Sequence, residues 1–223
     1  MTRIVFALYP GVTQLDFTGP HQVFSRLPKA EVICASVTGE PITTDNLTFS
    51  GLTRLAEVER CDVLCVPGGM GTSAAMGDQA LLDQVRRLAA TATYVTSVCT
   101  GSLILAAAGL LRGKRAASHW AWRDQLALFG VTVDAGRVVR DGNVLTGGGV
   151  TAGIDFALTL AAEIAGDDVA QAIQLTLEYA PAPPFDAGRP ETAPPQVLER
   201  IKAFNAKLEP ERRAAAEAAA GRL

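Results

Sequence analysis

The feature that most constrains the fold is an alternation of short apolar runs with helical patterns. The runs RIVFALY, EVICASV, CDVLCVP and TYVTSV are rich in valine, isoleucine and other residues that favour strands. Between the last two lies DQALLDQVRRLAATA, in which leucines and a valine between residues 81 and 88 share one helical face. Apolar strands that alternate with helices predict an α/β fold with a mostly parallel sheet covered on both faces.

The rest of the chain follows the same scheme. Helices are predicted at GPHQVFSRL, SLILAAAGLL, HWAWRDQLALFG, VTAGIDFALTLAAEIAG and DDVAQAIQLTLEYA. VTVDAGRVVRDGNVLTGGG predicts short strands with a turn at Asp141-Gly142. There is no internal repeat and no linker, which favours a single domain over residues 1–208. The Ala-, Glu- and Arg-rich residues 209–223 predict an exposed helix or a frayed tail with no visible chemistry.

Composition and charge exclude several classes of protein. The 223 residues are 48% hydrophobic, which is enough for a sizeable core. Basic and acidic residues number 20 and 23, and no basic stripe supports a nucleic-acid partner. No apolar run approaches the roughly 20 residues of a membrane helix. The N-terminal run is broken at Pro10-Gly11, so it predicts a buried strand rather than a secretory signal, and a cytoplasmic protein.

The four cysteines are predicted to be free thiols in a reducing compartment. Cys34, Cys61 and Cys65 lie in or beside apolar strand patterns, which favours a place in the core. Cys61 and Cys65 have no second close pair of cysteines, and the chain has only two histidines, so a zinc site is not expected.

Residues that could take part in chemistry lie at the ends of three predicted strands. The first strand ends near Asp16, the third ends at Gly68-Gly69, and TYVTSV ends at Cys99. Ligands of open parallel sheets bind beyond the carboxyl ends of the strands. If these strands are neighbours, the three positions meet at one edge of the sheet.

Cys99 lies at the joint between a strand and a helix, in SVCTGS. This is the position of a nucleophile elbow, and the small residues Gly101 and Ser102 relieve crowding around it. The N-terminus of the following helix is expected to favour the thiolate and lower the pKa of the thiol. The alternative is a buried structural cysteine.

The other candidates have both a functional and a structural interpretation. The Gly68-Gly69 turn offers backbone amides for a developing negative charge, with the Thr100 N–H as a second donor, or it is an ordinary turn. Asp16 is either a helix N-cap or a carboxyl group beside the thiol that gives and takes a proton. His119 is either a base for Cys99 or a partner in a structural hydrogen bond.

These motifs together resemble the ThiJ/PfpI superfamily, whose members have the flavodoxin-like fold of class I glutamine amidotransferases. The resemblance covers nearly the whole chain, through VPGG, VCTGSLILAAAGLL, ASHW, LTGGGVTAGIDFAL and EYAPAPPFDAGRP. It implies a flavodoxin-like three-layer sandwich with Cys99 as the reactive centre and Asp16 as the acidic residue that contacts it. Many members are dimers, so the resemblance also implies a homodimer.

Members of this superfamily have many different activities, and the sequence lacks features that several of its branches require. No histidine follows His119, so the amidotransferase triad is absent, and Thr100 stands where PfpI-like peptidases have a histidine. The chain is also too short to carry the DNA-binding domain of AraC-type regulators. The remaining combination most resembles isonitrile hydratases, which add water to R–N≡C and yield an N-substituted formamide.

The resemblance implies that Cys99 attacks the isonitrile carbon, Asp16 protonates it, and water then releases the product from a thioimidate. Gly69 and Thr100 are expected to orient substrate or water, and no metal or organic cofactor is required. Two alternatives are a glyoxalase-like or deglycase-like enzyme acting on reactive carbonyls, and a cysteine-based redox or stress sensor. An enzyme would convert many substrate molecules per thiol, whereas a sensor would show only stoichiometric oxidation of the cysteine.

Overall fold

The structure, a computed structural model, describes all residues from 1 to 223. Its eleven strands are β1 (Thr2–Leu8), β2 (Ala30–Ser36), β3 (Ile42–Thr44), β4 (Leu47–Phe49), β5 (Thr53–Arg54), β6 (Val63–Val66), β7 (Tyr94–Val98), β8 (Arg115–Ala116), β9 (Thr132–Val133), β10 (Val138–Asp141) and β11 (Val144–Gly147). Its eight α-helices are α1 (Gln14–Phe24), α2 (Thr72–Gly77), α3 (Gln79–Ala89), α4 (Gly101–Ala107), α5 (Ala152–Ala165), α6 (Asp167–Thr176), α7 (Pro195–Asn205) and α8 (Glu209–Ala220).

Seven strands form the central sheet, in the order β10-β11-β7-β6-β1-β2-β5. All neighbours in it run parallel except β10 and β11, which form an antiparallel hairpin at one edge. The central strands β1, β6 and β7 contain few exposed residues, as expected for strands covered on both faces. The predicted mostly parallel, flavodoxin-like sheet is confirmed.

Helices form the two outer layers. The helices α1, α5 and α6 contact one another in one group, whereas α2, α3, α4 and α8 contact one another in the other. The apolar face of α3 that the sequence predicts is buried, and Asp78 caps this helix by accepting a hydrogen bond from the Leu81 N–H (3.1 Å). No helix of the structure combines the length and the apolar character needed to cross a membrane.

Three local differences from the sequence-based prediction affect the site. Helix α1 begins at Gln14 rather than near Gly19, so Asp16 lies in its first turn and Pro20 lies inside the helix. The segment after His119 forms a 3₁₀-helix over Arg123–Phe129, ended by Gly130 in the left-handed region, rather than an α-helix from residue 119. Residues 195–205 form α7, which the proline-rich context did not suggest.

The end of the chain is a helix with a buried stripe. Arg212, Ala216 and Ala219 of α8 are buried, and the helix packs against α2, α4 and the 3₁₀-helix. Their spacing of four and three residues places these side chains on one face. Residues 209–220 are therefore neither frayed nor exposed on all sides, because small alanines allow close packing against the domain.

Candidate active site

The carboxyl ends of three adjacent strands meet at the candidate site. β6 pairs in parallel with β1 on one side and with β7 on the other. Asp16 follows β1, Gly68 and Gly69 follow β6, and Cys99 follows β7. The predicted meeting of these positions at one edge of the sheet is confirmed by this strand order.

Cys99 is held in a sharp turn between β7 and α4. Its φ angle is +57°, in the left-handed region that side chains other than glycine rarely adopt. Its N–H donates to the Gly147 carbonyl (3.1 Å), and its own carbonyl accepts from the hydroxyls of Ser118 (3.0 Å) and Ser102 (3.2 Å). Cys99 therefore lies at a tight joint between a strand and a helix, and the residue is only 5% exposed.

Asp16 is fully buried in the first turn of α1. Its Oδ2 accepts a hydrogen bond from the Gly68 N–H (2.9 Å), whereas Oδ1 is buried without a hydrogen-bond partner. Thr13 occupies the N-cap position, so the helix-cap interpretation of Asp16 is wrong. A buried carboxyl oxygen without a partner is costly, and the titratable group that interacts with this carboxyl group is the Cys99 thiol.

Burial dominates the electrostatics of the pair. It raises the pKa of Asp16 to about 7, against opposing contributions from the Gly68 N–H and the Cys99 thiol. Burial, and next the negative charge of Asp16, raise the pKa of Cys99 well above its usual value. The expected fall in the thiol pKa is therefore wrong: the Thr100 N–H favours the thiolate, but desolvation outweighs it. The thiol keeps its proton until the carboxylate of Asp16 can accept it.

The amides of the Gly68-Gly69 turn are already used within the protein. The Gly68 N–H donates to Asp16, and the Gly69 N–H donates to Oγ1 of Thr100 (3.0 Å). The Gly69 amide is therefore not free to bind substrate charge in this structure, because its hydrogen atom points to a buried hydroxyl. Instead, the turn connects the first turn of α1, which carries Asp16, to Thr100, the residue that follows Cys99.

The Thr100 hydroxyl links this turn to α2. The Thr72 hydroxyl donates to the Gly69 carbonyl (2.8 Å), so Thr100 is the donor in the 2.7 Å bond between the two hydroxyls. A Cβ atom at Gly68 would overlap the amide nitrogen and Oγ1 of Thr100, so only glycine fits there. The proposed orienting role of Thr100 toward substrate therefore falls on its backbone N–H, since the hydroxyl is occupied.

Replacing Thr100 with valine tests this link. The change leaves the buried Gly69 N–H without an acceptor, so we expect the free energy of unfolding to fall by about 1–3 kcal/mol. Alkylation of Cys99 by iodoacetamide should also slow, because loss of the hydroxyl releases the Gly69 N–H and disturbs the turn that places the Thr100 N–H beside the thiol. Thr96→Val is the matched control, because it removes a buried hydroxyl of β7 that donates to the Leu64 carbonyl of β6. It should destabilise the protein without slowing alkylation, and equal rates in both variants would contradict the prediction.

Arg212 reaches the same turn from α8. The side chain is 3% exposed, its Nη2 donates to the Gly69 carbonyl (3.3 Å), and its guanidinium lies 4.6 Å from the centre of the Trp122 ring. The sequence analysis missed this residue because it assigned no chemistry to the end of the chain. The signal was present in the spacing of Arg212 from Ala216 and Ala219, which predicts a buried face.

His119 lies in the loop after β8 and forms no hydrogen bond with Cys99. Its Nδ1 accepts from the Ala121 N–H (3.3 Å), so the structure favours the alternative of a structural hydrogen bond. Burial, and to a lesser extent the charge of Arg212, lower the pKa of His119. The ring is therefore neutral near pH 7.

A cleft of about 480 Å³ opens beside the site. Cys99 and Asp16 do not line it, but Ser118, which donates to the Cys99 carbonyl, does. Other residues that line it include His119, Trp120, Arg123, Gly149 and Arg189. Gly148 and Gly149 follow directly on Gly147, which accepts the Cys99 N–H, so one wall of the cleft is joined to the turn that holds the thiol.

Residues 2–163 match the model of the DJ-1/PfpI family. The chain belongs to the DJ-1/PfpI family. It is 53% identical to the isonitrile hydratase of Pseudomonas putida over 201 residues, which cover 90% of this chain and 88% of that protein. It is 30% identical to protein dj-1beta of Drosophila melanogaster over 170 residues, or 74% of this chain and 91% of that one.

Solved structures of the DJ-1/PfpI family agree with this assignment. A ThiJ/PfpI family protein from Pseudomonas syringae superimposes with a TM-score of 0.92 and 42% sequence identity, over 99% of this chain and 90% of its own. The match covers α7 and α8 as well as the sheet. The residues of the family model end within α5, so the C-terminal helix with Arg212 lies outside the part that defines the family.

The raised pKa of Asp16 gives the stability of this protein a defined pH dependence. The folded state holds the proton up to about pH 7, whereas an unfolded Asp releases it near its ordinary pKa of 3.8. The contribution of protonated Asp16 to the free energy of unfolding is complete below about pH 4 and is lost as the pH rises through about 7. We expect a loss of about 1.4 kcal/mol of unfolding free energy per pH unit in that window.

Urea unfolding at several pH values between about 4 and 7 measures this slope. Asp16→Asn should remove it, because the amide does not titrate. Asp83→Asn, at an exposed carboxyl group of α3, should keep it. An unchanged slope in the Asp16 variant would show that another group is responsible.

Proposed function

We propose that this protein is an isonitrile hydratase, a lyase that adds water to R–N≡C and forms an N-substituted formamide. The observation that carries the proposal is the buried Cys99 thiol beside Asp16, whose Oδ1 has no partner. The identity of more than half of the residues with the Pseudomonas putida enzyme supports the same activity. An isonitrile carbon must receive both a nucleophile and a proton, and this pair supplies both.

In the first step the Cys99 thiol adds to the isonitrile carbon. The carboxylate of Asp16 accepts the thiol proton as the sulfur–carbon bond forms, and the resulting carboxyl group passes that proton to the same carbon. The product is a thioimidate, R–N=CH–S–Cys99. Oδ2 of Asp16 is held by the Gly68 N–H, so Oδ1 is the oxygen that carries the proton in this proposal.

In the second step water hydrolyses the thioimidate. Asp16 removes one proton from water as the oxygen attacks the carbon and delivers that proton to the nitrogen, which gives R–NH–CH(OH)–S–Cys99 and restores the carboxylate. The carbon–sulfur bond then breaks, the hydroxyl proton returns through Asp16 to the sulfur, and R–NH–CHO leaves. A covalent intermediate divides the hydration into two easier additions. The Thr100 N–H favours the leaving thiolate.

The proposal includes the place of the substituent R. The cleft beside Ser118 is the cavity joined to the Cys99 turn, and it offers room for a group of moderate size. No step of the sequence needs a metal ion or an organic cofactor, because the proton and the nucleophile come from side chains.

The proposal also includes a homodimer in the cytoplasm. No residue of α7 is buried, and Phe204 on this helix is 59% exposed. Large apolar side chains in such a position are typical of an interface. Light scattering on purified protein would show twice the chain mass for a dimer, and four free cysteines suit a reducing compartment.

The first experiment mixes purified protein with cyclohexyl isonitrile and with an aryl isonitrile, and follows the formamide. Many formamide molecules per thiol would support the proposal. Absence of turnover in protein whose Cys99 still reacts with iodoacetamide would overturn it. A single oxidation per thiol under peroxide, without isonitrile turnover, would favour the redox-sensor alternative.

A further inference from the structure

Arg212 is a buried cation without a carboxylate partner. The side chain is 3% exposed, yet none of the ion pairs of the structure includes it. Burial lowers its pKa, which indicates that the charged form is held at a cost. A buried charge is normally paired, so the group that compensates this one requires an explanation.

The contacts of Arg212 direct it to the catalytic turn. Its guanidinium stacks on Trp122, with its carbon 4.6 Å from the ring centre, and its Nη2 donates to the Gly69 carbonyl. The Gly69 N–H in turn donates to Thr100, the residue after Cys99. The preceding amide, that of Gly68, donates to Asp16. One planar cation therefore contacts the turn whose two amides bind Asp16 and Thr100.

We propose that Arg212 is a positioning residue for the hydration: it fixes the Gly68-Gly69 turn and its charge stabilises the single negative charge shared by Cys99 and Asp16. The inference rests on the proposed function for its role in catalysis. The negative charge that compensates Arg212 is then the one that the reaction moves between sulfur and carboxylate. The C-terminal helix thereby becomes part of the active site.

Other charged groups near Arg212 do not replace this partner. Glu209 and Glu211 belong to its own helix, and Glu209 accepts hydrogen bonds from Gln125 instead (3.3 and 3.4 Å). Tyr9, the residue after β1, is neutral, since burial raises the pKa of its hydroxyl far above the usual value. His119 is neutral because its pKa is lowered. Among the negative charges that favour the charged form of Arg212, that of Cys99 contributes most to its pKa, ahead of Glu211 and Glu209.

Three substitutions separate charge from hydrogen bonding. Arg212→Met removes both, Arg212→Gln keeps a donor for the Gly69 carbonyl, and Arg212→Lys keeps the charge. The readout is the rate of iodoacetamide alkylation of Cys99 against pH, with the modified residue identified by mass spectrometry. This readout needs no isonitrile, so it is independent of whether the proposed hydration occurs.

We expect the neutral variants to alkylate about tenfold more slowly at pH 7, with the midpoint of the profile about one pH unit higher. The Lys variant should keep a profile near that of the parent, and formamide turnover should follow the same order. Arg213→Met is the matched control: its guanidinium is half exposed and pairs with Glu217, so both readouts should stay unchanged.

Two results would overturn the proposal. One is an unchanged pH profile in a neutral variant whose thermal unfolding remains cooperative. The other is failure of both neutral variants to fold while Arg212→Lys folds with a shifted profile, which would make Arg212 a structural residue only. A third result separates the two proposals. If the neutral variants alkylate more slowly as expected but the parent does not turn over isonitriles, the positioning role of Arg212 is retained and the hydratase activity is rejected.

Discussion

Turnover of cyclohexyl isonitrile is expected to fall by at least about 10³-fold when Cys99 is replaced by alanine. The sulfur forms the only bond between protein and substrate in the proposed reaction, so its loss removes the whole covalent route. Cys99→Ser should fall by a similar factor, because a serine hydroxyl is far less acidic than a thiol and the same carboxylate cannot activate it. Formamide release measured by chromatography gives the rates.

Cys34→Ala is the matched control for that experiment. Cys34 is a half-buried cysteine of β2, on the far side of β1 from Cys99, and its replacement should leave turnover unchanged. Mass spectrometry of parent protein quenched with acid during turnover should find the thioimidate on the peptide that contains Cys99. Full activity in Cys99→Ala would reject the covalent mechanism, even if the protein hydrates isonitriles.

Asp16→Asn is expected to lower turnover by about 10²- to 10⁴-fold, the usual range for loss of a general acid–base group. The amide keeps an oxygen for the Gly68 N–H, so the turn survives, but it neither accepts the thiol proton nor delivers it to carbon. In the parent, the rate should rise with pH through about 7, where the carboxylate forms. The variant should lose this rise.

The pH profile decides between a chemical and a structural role for Asp16. Asp83→Asn should reproduce the parent in both rate and profile, since Asp83 lies on the surface of α3 and pairs with Arg86. If Asp16→Asn lowers the rate but keeps a midpoint near 7, the titrating group lies elsewhere. If it keeps the rate itself, Asp16 is not the proton donor.

Much of the fold could be predicted because its signals are local. The runs that form β1, β6 and β7 are mostly apolar, and their alternation with helices permits few arrangements other than a parallel sheet. The boundaries of α1 were harder, since Pro20 suggested a first turn while the helix begins six residues earlier at Gln14. A proline inside a helix is tolerated when tertiary packing supports it, and α5 packs closely against α1 at this point.

The site was predictable in its members but not in its hydrogen bonds. Cys99 and Asp16 follow strands that can be recognised in the sequence, and parallel order brings such ends together. The Gly69 N–H and the Arg212 side chain depend on partners far along the chain: Arg212 and Gly69 are 143 residues apart. The direction of the thiol pKa depends on depth of burial, which no local pattern around Cys99 reports.

The contact between Arg212 and Gly69 also orders events during synthesis on the ribosome. The strands that place Cys99 and Asp16 leave the ribosome well before α8 does, so the sheet can form around a thiol that still lacks its neighbouring cation. Arg212 can reach the Gly69 carbonyl only after residue 212 has emerged and α8 has docked, so this contact is among the last of the active-site turn to form.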